Sequence, residues 1–89
     1  MFVIEDRRIG KFMYYVECKQ YAPTRPVGVH VVRELYGSVM ADKATAGLVV
    51  TSSYFSEDAN VFSEKIKYQM SLMDYASLTN AVREVQSKI

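Results

Sequence analysis

Hydrophobic residues along this chain fall into short runs that follow two different periods. Residues 1–5 and Phe12–Lys19 are rich in Phe, Val, Ile and Tyr, which favour extended structure. Gly10 lies between them and can adopt the positive φ that a tight turn requires, so we predict an antiparallel hairpin. Pro23 and Pro26 remove backbone donors, and residues 21–28 are therefore predicted to be a loop that leaves the second strand.

The next segment, from residue 29 to about residue 43, has the three- and four-residue spacing of an amphipathic helix. Gly37 lies inside this segment, and because glycine costs helix stability we expect another element to approach the helix closely there. The apolar positions that define the helical spacing are Val29, Val32, Leu35, Tyr36, Val39 and Met40.

Three more elements and a last helix follow. The run 47–50 within Ala46–Thr51 is continuously apolar, which is typical of a strand buried on both faces. Ser56 is predicted to cap a helix over Glu57–Lys65, and residues 68–73 are predicted to form another short strand. Asp74 is predicted to cap the last helix, whose apolar stripe consists of Leu78, Val82 and Val85.

The predicted element order is β-β-α-β-α-β-α. Strand-helix-strand connections of this length imply parallel neighbouring strands and right-handed crossovers. The predicted fold class is therefore α/β, a mixed sheet flanked by helices, in a single domain over residues 1–89.

Composition narrows the class of protein further. A chain of 89 residues, 49% hydrophobic and 24% charged, is suited to one small globular domain with a thin stability margin. None of its apolar runs approaches the roughly 20 residues needed to span a bilayer, so we predict a cytoplasmic protein without a membrane segment. Cys18 is the only cysteine, which excludes an intrachain disulfide, and it is predicted to be a small buried hydrophobe on the back of its strand.

The net charge of +1 conceals an uneven distribution. Residues 7–33 contain six basic residues and a single acid, Glu17. Such a local positive region favours a polyanionic partner, although an ordinary solvated face accounts for it equally well.

Glu17-Cys18-Lys19 is the motif with the clearest chemistry. Side chains alternate across a strand, so Glu17 and Lys19 project from one face and Cys18 from the other. A carboxylate can hold a divalent metal, and a neighbouring ammonium group can polarise a water molecule, so this pair is half of a hydrolytic site for phosphodiesters.

Four segments in a fixed order extend the motif into a family resemblance. They are residues 14–21 (Tyr-Tyr-Val-Glu-Cys-Lys-Gln-Tyr), 27–29 (Val-Gly-Val), 32–37 (Val-Arg-Glu-Leu-Tyr-Gly) and 47–56 (Gly-Leu-Val-Val-Thr-Ser-Ser-Tyr-Phe-Ser). Together they resemble the catalytic domain of Mrr-like restriction endonucleases, within the PD-(D/E)xK nuclease superfamily. The resemblance implies a restriction-endonuclease-like fold and a type IV-like enzyme that cleaves DNA with Mg²⁺, or with Mn²⁺ in its place.

The resemblance also implies roles for residues of the motif. Glu17 would bind the metal and Lys19 would stabilise developing charge or orient the nucleophile. The backbone carbonyl group of Cys18 would be a further metal ligand, and Gln20 is a weaker catalytic candidate.

Four other residues are candidates for DNA binding. Thr51 and Ser52 end a predicted strand, where α/β sheets commonly place ligand contacts. Arg25 in the loop and Arg33 on the following helix are candidates for phosphate contacts. Each of the four has a structural role as its alternative.

The upstream aspartate of the nuclease pattern has no counterpart in this chain. If the hairpin turn centres near Ile9, Glu17 lies opposite Met1 and Asp6 lies about five residues away, on the order of 16 Å. Metal ligands must lie about 2.0 to 2.6 Å from the ion, so Asp6 is a poor candidate and Glu5 is only slightly better. The hairpin places the expected aspartate at or just before Met1.

Two interpretations follow from the missing aspartate. The chain is either an N-terminally incomplete nuclease domain or a shortened, catalytically inactive relative that binds DNA or another subunit. An uncovered aromatic sheet edge in either case predicts a homo-oligomer, and specifically a dimer. A third interpretation is a purely structural domain, in which Glu17 and Lys19 form an exposed ion pair.

Overall fold

The computed structural model describes residues 1–8, 10–77, 79, 80 and 83. Within them the chain forms six strands and two helices, and residues 75–77 begin a further helical segment. In chain order the elements are β1 (Phe2–Asp6), β2 (Phe12–Lys19), β3 (Pro26–Val27), α1 (Val29–Ala41), β4 (Ala46–Thr51), β5 (Tyr54–Phe55), α2 (Glu57–Lys65) and β6 (Met70–Met73).

The predicted strands and helices are confirmed within the described residues, with two additions. Strands β3 and β5 are only two residues long and pair in parallel with each other, and the hydrophobic pattern did not predict them. The start of the last helix is confirmed, because Asp74 Oδ1 accepts a hydrogen bond of 2.8 Å from the backbone N–H of Ser77. The predicted stripe of this helix, Leu78, Val82 and Val85, lies outside the described residues.

The main sheet has the strand order β1-β2-β4-β6. Strand β1 is antiparallel to β2, whereas β2 and β4, and β4 and β6, are parallel. The sheet is therefore mixed, and the predicted α/β class is confirmed. In the described part of the chain no helix is long and apolar enough to cross a membrane.

Helix α1 packs on one face of this sheet, and its buried side chains meet those of β4. Gly47 shows how close the contact is, because a Cβ atom there would lie 2.9 Å from Val39 Cγ2 and 2.7 Å from Met70 Sδ. The close approach predicted at Gly37 was wrong, since a Cβ atom at Gly37 would have no heavy atom within 4 Å. The glycine that the packing requires is on the strand and not on the helix.

The two faces of the sheet differ in how far they are covered. Strand β4 alternates, with Gly47, Val49 and Thr51 buried and the residues between them half-buried. The expectation that this strand is buried on both faces was therefore wrong, because α1 covers only the face to which these three residues point. Cys18 projects from the other face and is exposed, which corrects its predicted burial.

Candidate active site

A cleft of about 290 Å³ lies between the carboxyl-terminal half of β2 and helix α1. The strand provides both charged residues of the sequence motif, and the helix provides polar and apolar side chains. The cleft is lined by Met1, Glu17, Lys19, Val31, Glu34, Leu35 and Ser38.

Glu17 and Lys19 project from the same face of β2, as strand alternation predicts. Lys19 Nζ lies 3.5 Å from Glu17 Oε1, and the two side chains are 32% and 25% exposed. The pair is therefore a partly desolvated ion pair inside a cleft and not the exposed strand-end pair of the structural interpretation. Two such groups attract each other more strongly than a fully hydrated surface pair.

The register of the hairpin is the one that the sequence predicts. Phe2 pairs with Val16, so the next position along the ladder places Met1 opposite Glu17. The α-ammonium group of Met1 lies 3.7 Å from Glu17 Oε2. A second positive charge is thus drawn to this carboxylate, in addition to that of Lys19.

The two acids upstream of Glu17 are engaged at the far end of the hairpin. Asp6 pairs with Phe12 in the strand register, and its carboxylate accepts hydrogen bonds from Arg8 at 2.8 and 3.1 Å. These hydrogen bonds hold the pKa of Asp6 below its usual range. Glu5 contacts Arg7 at 3.3 Å, so neither acid joins Glu17.

Helix α1 brings two polar residues to the cleft that the sequence analysis did not single out. Glu34 and Ser38 are four residues apart, and with Val31 and Leu35 they share one side of the helix. Val31 and Leu35 are only 3% and 4% exposed, so their packing fixes the rotation of the helix. The signal available in the sequence was the position of Glu34 beside the apolar stripe of α1, which indicates a carboxylate next to the packed face of the helix.

Thr51 ends β4 with a buried side chain that is 1% exposed. Its hydroxyl group donates a 2.8 Å hydrogen bond to the carbonyl oxygen of Lys19 and accepts a 3.1 Å hydrogen bond from the N–H of Ser53. The DNA contact predicted for Thr51 is not available to a side chain so deeply buried. The residue instead holds the end of β2 against the end of β4.

Ser52 is exposed and its backbone N–H also donates to the carbonyl oxygen of Lys19, at 3.2 Å. Its hydroxyl group donates to the carbonyl oxygen of Tyr21 at 3.0 Å, so the side chain is at the surface but already partnered. A DNA contact by Ser52 stays a prediction.

Two residues of the predicted site lie on the other side of the sheet. Cys18 and Gln20 border another surface depression, which is also lined by Lys19, Val50, Thr51, Ser52 and Tyr75. Strand alternation explains the placement of Cys18, which points away from the face that carries Glu17, whereas Gln20 follows the end of β2. The structure therefore does not bring the Gln20 side chain to the cleft, and the metal-binding role of the Cys18 carbonyl group stays a prediction.

The two predicted phosphate-binding arginines are also separated from the cleft. The Arg25 guanidinium group stacks on the ring of Tyr21 at 4.2 Å, in the loop that follows Lys19. Arg33 lies 5.3 Å from the centre of the Phe62 ring and borders a second depression together with Glu57 and Asp58. Their DNA contacts stay predictions.

The donor set of the cleft suits a hard divalent cation. Carboxylate and hydroxyl oxygens are the ligands that Mg²⁺ prefers, and Mg²⁺ is usually held by one or two carboxylates with water and substrate phosphates completing the shell. The described residues contain no group of three or more His, Cys, Asp or Glu side chains able to hold a metal. A site with one or two carboxylates is thus the arrangement that this cleft offers.

The mixed sheet with a carboxylate and a lysine two residues apart on β2, facing a helix, defines a nuclease-like α/β domain. Residues 2–82 match the sequence model of a restriction endonuclease family, Mrr_cat. The chain belongs to this restriction endonuclease family, as the resemblance of its four segments predicted.

Two solved structures share the fold. "DNA modification-dependent restriction endonuclease AspBHI" is 20% identical, with a TM-score of 0.75 over 94% of this chain and 21% of that chain. "MspJI Restriction Endonuclease in Complex with 27-mer Oligonucleotide" is 23% identical, with a TM-score of 0.67 over 91% of this chain and 18% of that chain. The present chain thus spans about a fifth of the length of each. No curated protein matched the chain.

Proposed function

We propose that this domain is a metal-dependent DNA endonuclease of the restriction type, which hydrolyses phosphodiester bonds in the cleft between β2 and α1. The observation that carries the proposal is the half-buried pair of Glu17 and Lys19, 3.5 Å apart, in a cleft lined by oxygen ligands. Membership of a restriction endonuclease family supports DNA as the substrate. The oligonucleotide named in the MspJI structure supports the same choice.

Glu17 is the residue that we propose to hold Mg²⁺, or Mn²⁺ in its place. When bound, the ion would act as a Lewis acid on a phosphoryl oxygen. The fit rests on the hard oxygen donors that line the cleft.

Lys19 is the residue that we propose to act on the developing charge. Water forms a bond to phosphorus, the bond from phosphorus to the leaving oxygen breaks, and a proton from the attacking water reaches the leaving oxygen through solvent. The ammonium group of Lys19 donates hydrogen bonds to the attacking water or to a phosphoryl oxygen and thereby stabilises the negative charge. Its ion pair with Glu17 keeps it at the metal-binding carboxylate.

The test is cleavage of supercoiled plasmid DNA with MgCl₂ and, separately, with MnCl₂. We expect the wild type to nick the plasmid, and Glu17→Gln and Lys19→Met each to reduce the rate by roughly a hundredfold or more. Glu64 and Lys67 provide a matched control, because their ion pair is also 3.5 Å long but lies exposed, away from the cleft. Glu64→Gln and Lys67→Met should cleave at the wild-type rate. Cleavage that survives the changes at Glu17 and Lys19 would overturn the proposal.

A second candidate function is a non-catalytic DNA-binding or oligomerisation module on the same fold. The observation that favours it is the engagement of Glu5 and Asp6 by Arg7 and Arg8, which leaves the hairpin without a second acid near Glu17. Such a module would retard DNA in a gel with and without metal but would not nick it. Nicking by the wild type that is lost in Glu17→Gln excludes this alternative.

We also propose that the domain forms a homodimer in the cytoplasm. Strand β1 is at the edge of the sheet, and Phe2 and Ile4 on it are 62% and 54% exposed. Exposed apolar edge strands favour pairing with another chain. Sedimentation equilibrium should give twice the mass of 10.2 kDa, and a monomer at high protein concentration would contradict the dimer.

A further inference from the structure

We propose that Glu34 of helix α1 is the second metal-binding carboxylate of the cleft and acts together with Glu17. The inference rests on the proposed nuclease function and adds a residue that the sequence motif does not contain. It answers the question that the hairpin raises, namely which acid takes the place of the missing upstream aspartate.

The position of Glu34 is set by the packing of its helix. Val31 and Leu35, on either side of Glu34 in the sequence, are 3% and 4% exposed and anchor α1 on the sheet. With the helix held in this rotation, Glu34 borders the same cleft as Glu17 and Lys19. The face of β2 that carries Glu17 is the face on which α1 packs, so the two carboxylates belong to opposite walls of one cleft.

The charges of the cleft favour a cation at Glu34. Glu17 lies within 4.0 Å of two ammonium groups, those of Lys19 and Met1. Among the ion pairs of the described residues, none involves Glu34. The cleft thus contains one carboxylate that is already paired and one that has no cationic partner in the described structure. A divalent cation held between the two carboxylates would give Glu34 the cationic partner that it lacks in the described structure.

The acids of the hairpin cannot supply this ligand. Asp6 lies opposite Phe12, five positions along the ladder from Glu17, and its carboxylate is bound by Arg8. At about 3.3 Å per residue this separation is on the order of 16 Å, far beyond the reach of a shared ion. Glu34 approaches the cleft from the helix and not along the hairpin, so strand register does not limit it. Ser38, one turn further along α1, adds a hydroxyl oxygen to the same wall.

The experiment measures Mn²⁺ binding to the folded protein by electron paramagnetic resonance, without DNA and without a cleavage assay. We expect the wild type to bind Mn²⁺, and Glu34→Gln and Glu17→Gln each to weaken binding by at least about tenfold. Glu34→Asp, which keeps the charge on a shorter side chain, should bind more tightly than Glu34→Gln. Glu64→Gln, a change of the same kind on the exposed surface of α2, should bind as the wild type does.

The outcomes separate the two proposals. If Glu17→Gln loses Mn²⁺ whereas Glu34→Gln binds it as tightly as Glu64→Gln, the role of Glu34 is overturned and the nuclease proposal stands. If the wild type binds no Mn²⁺, the metal-dependent function is overturned and the role of Glu34 with it. Circular dichroism of each variant shows that it is folded, and if Glu34→Gln does not fold, Glu34→Ala takes its place: Mn²⁺ binding as tight as that of Glu64→Gln would overturn the role of Glu34.

Discussion

The hydroxyl group of Thr51 donates a hydrogen bond of 2.8 Å to the carbonyl oxygen of Lys19, and this contact joins the ends of the two central strands at the candidate site. The N–H of Ser52 donates to the same carbonyl oxygen at 3.2 Å. Two hydrogen bonds from the end of the neighbouring strand β4 therefore hold the backbone of Lys19 in place. Thr51, which its place at the end of a strand made a candidate for DNA binding, thus supports the backbone of Lys19.

Replacing Thr51 should test this support. Thr51→Val keeps the shape of the side chain but removes the donor to Lys19 and the acceptor for the N–H of Ser53. Leaving a buried N–H without a partner costs about 1 to 3 kcal/mol, so we expect the free energy of unfolding in urea to fall by that amount. Ser52→Ala removes only an exposed hydroxyl group and should cost less. Equal losses in the two variants would contradict the role of Thr51.

The glycines of β4 and α1, Gly47 and Gly37, allow a matched test of how closely the helix packs on the sheet. Gly47→Ala places a Cβ atom 2.9 Å from Val39 Cγ2 and 2.7 Å from Met70 Sδ, and such overpacking costs about 1 to 3 kcal/mol. Gly37→Ala meets no heavy atom within 4 Å, and alanine is favoured over glycine in a helix by about 1 kcal/mol. Thermal unfolding should therefore move to a lower temperature in the first variant and to a higher temperature in the second. If Gly37→Ala were destabilised instead, another part of the protein would have to pack against α1 at Gly37, where the structure shows no neighbouring heavy atom within 4 Å.

The periods of the hydrophobic pattern were sufficient to predict the hairpin, α1, β4, α2 and the mixed sheet. They were not sufficient for β3 and β5, because two-residue strands depend on a distant partner and carry no period of their own. Which face of the sheet is covered depends on where the helices pack. For this reason the burial predicted for Cys18 and the close contact predicted at Gly37 were both wrong. In each case the error concerns a contact between residues far apart in sequence.

The candidate site was also predictable only where it depends on one strand or on the hairpin register. Strand alternation placed Glu17 and Lys19 together, and counting outward from the turn placed Met1 opposite Glu17. Glu34 could not be assigned in this way, because its position at the cleft depends on how α1 is rotated on the sheet. The buried neighbours Val31 and Leu35 determine that rotation only once the sheet is present.

Stability at high pH should depend on Tyr15. Its hydroxyl group donates a 2.6 Å hydrogen bond to Asp42 Oδ2, which follows α1, and this hydrogen bond, with burial and the nearby carboxylate charge, raises the pKa of Tyr15. The folded state thus holds the phenolic proton more tightly than the unfolded state does. The resulting stability is present below the unfolded pKa of about 10 and is lost as the pH rises through the folded pKa.

Tyr15→Phe should therefore be less stable than the wild type at neutral pH, and the difference should shrink as the pH rises above about 10. Urea unfolding at several pH values measures both quantities. Tyr14→Phe is the control, because Tyr14 is exposed on the other face of β2 and has no such hydrogen bond in the described structure. A constant difference between Tyr15→Phe and the wild type across this range would rule out the linkage.

The salt dependence of DNA binding should distinguish the two candidate arginines. A contact between an arginine and a DNA phosphate releases a counterion, so its loss lowers the slope of log affinity against log salt by roughly one unit. Arg25 is held on Tyr21 in the loop directly after Lys19, and we expect Arg25→Gln to show this change. Arg33 borders Glu57 and Asp58, whose charges oppose an approaching phosphate, so Arg33→Gln should change the slope less. Arg7→Gln is the control, since Arg7 pairs with Glu5 at the far end of the hairpin, and its slope should match that of the wild type. The slope is measured by fluorescence anisotropy of a labelled DNA duplex. All variants are made in the Glu17→Gln background, so that the DNA is not cleaved during the titration. An unchanged slope in Arg25→Gln would remove this residue from the DNA interface.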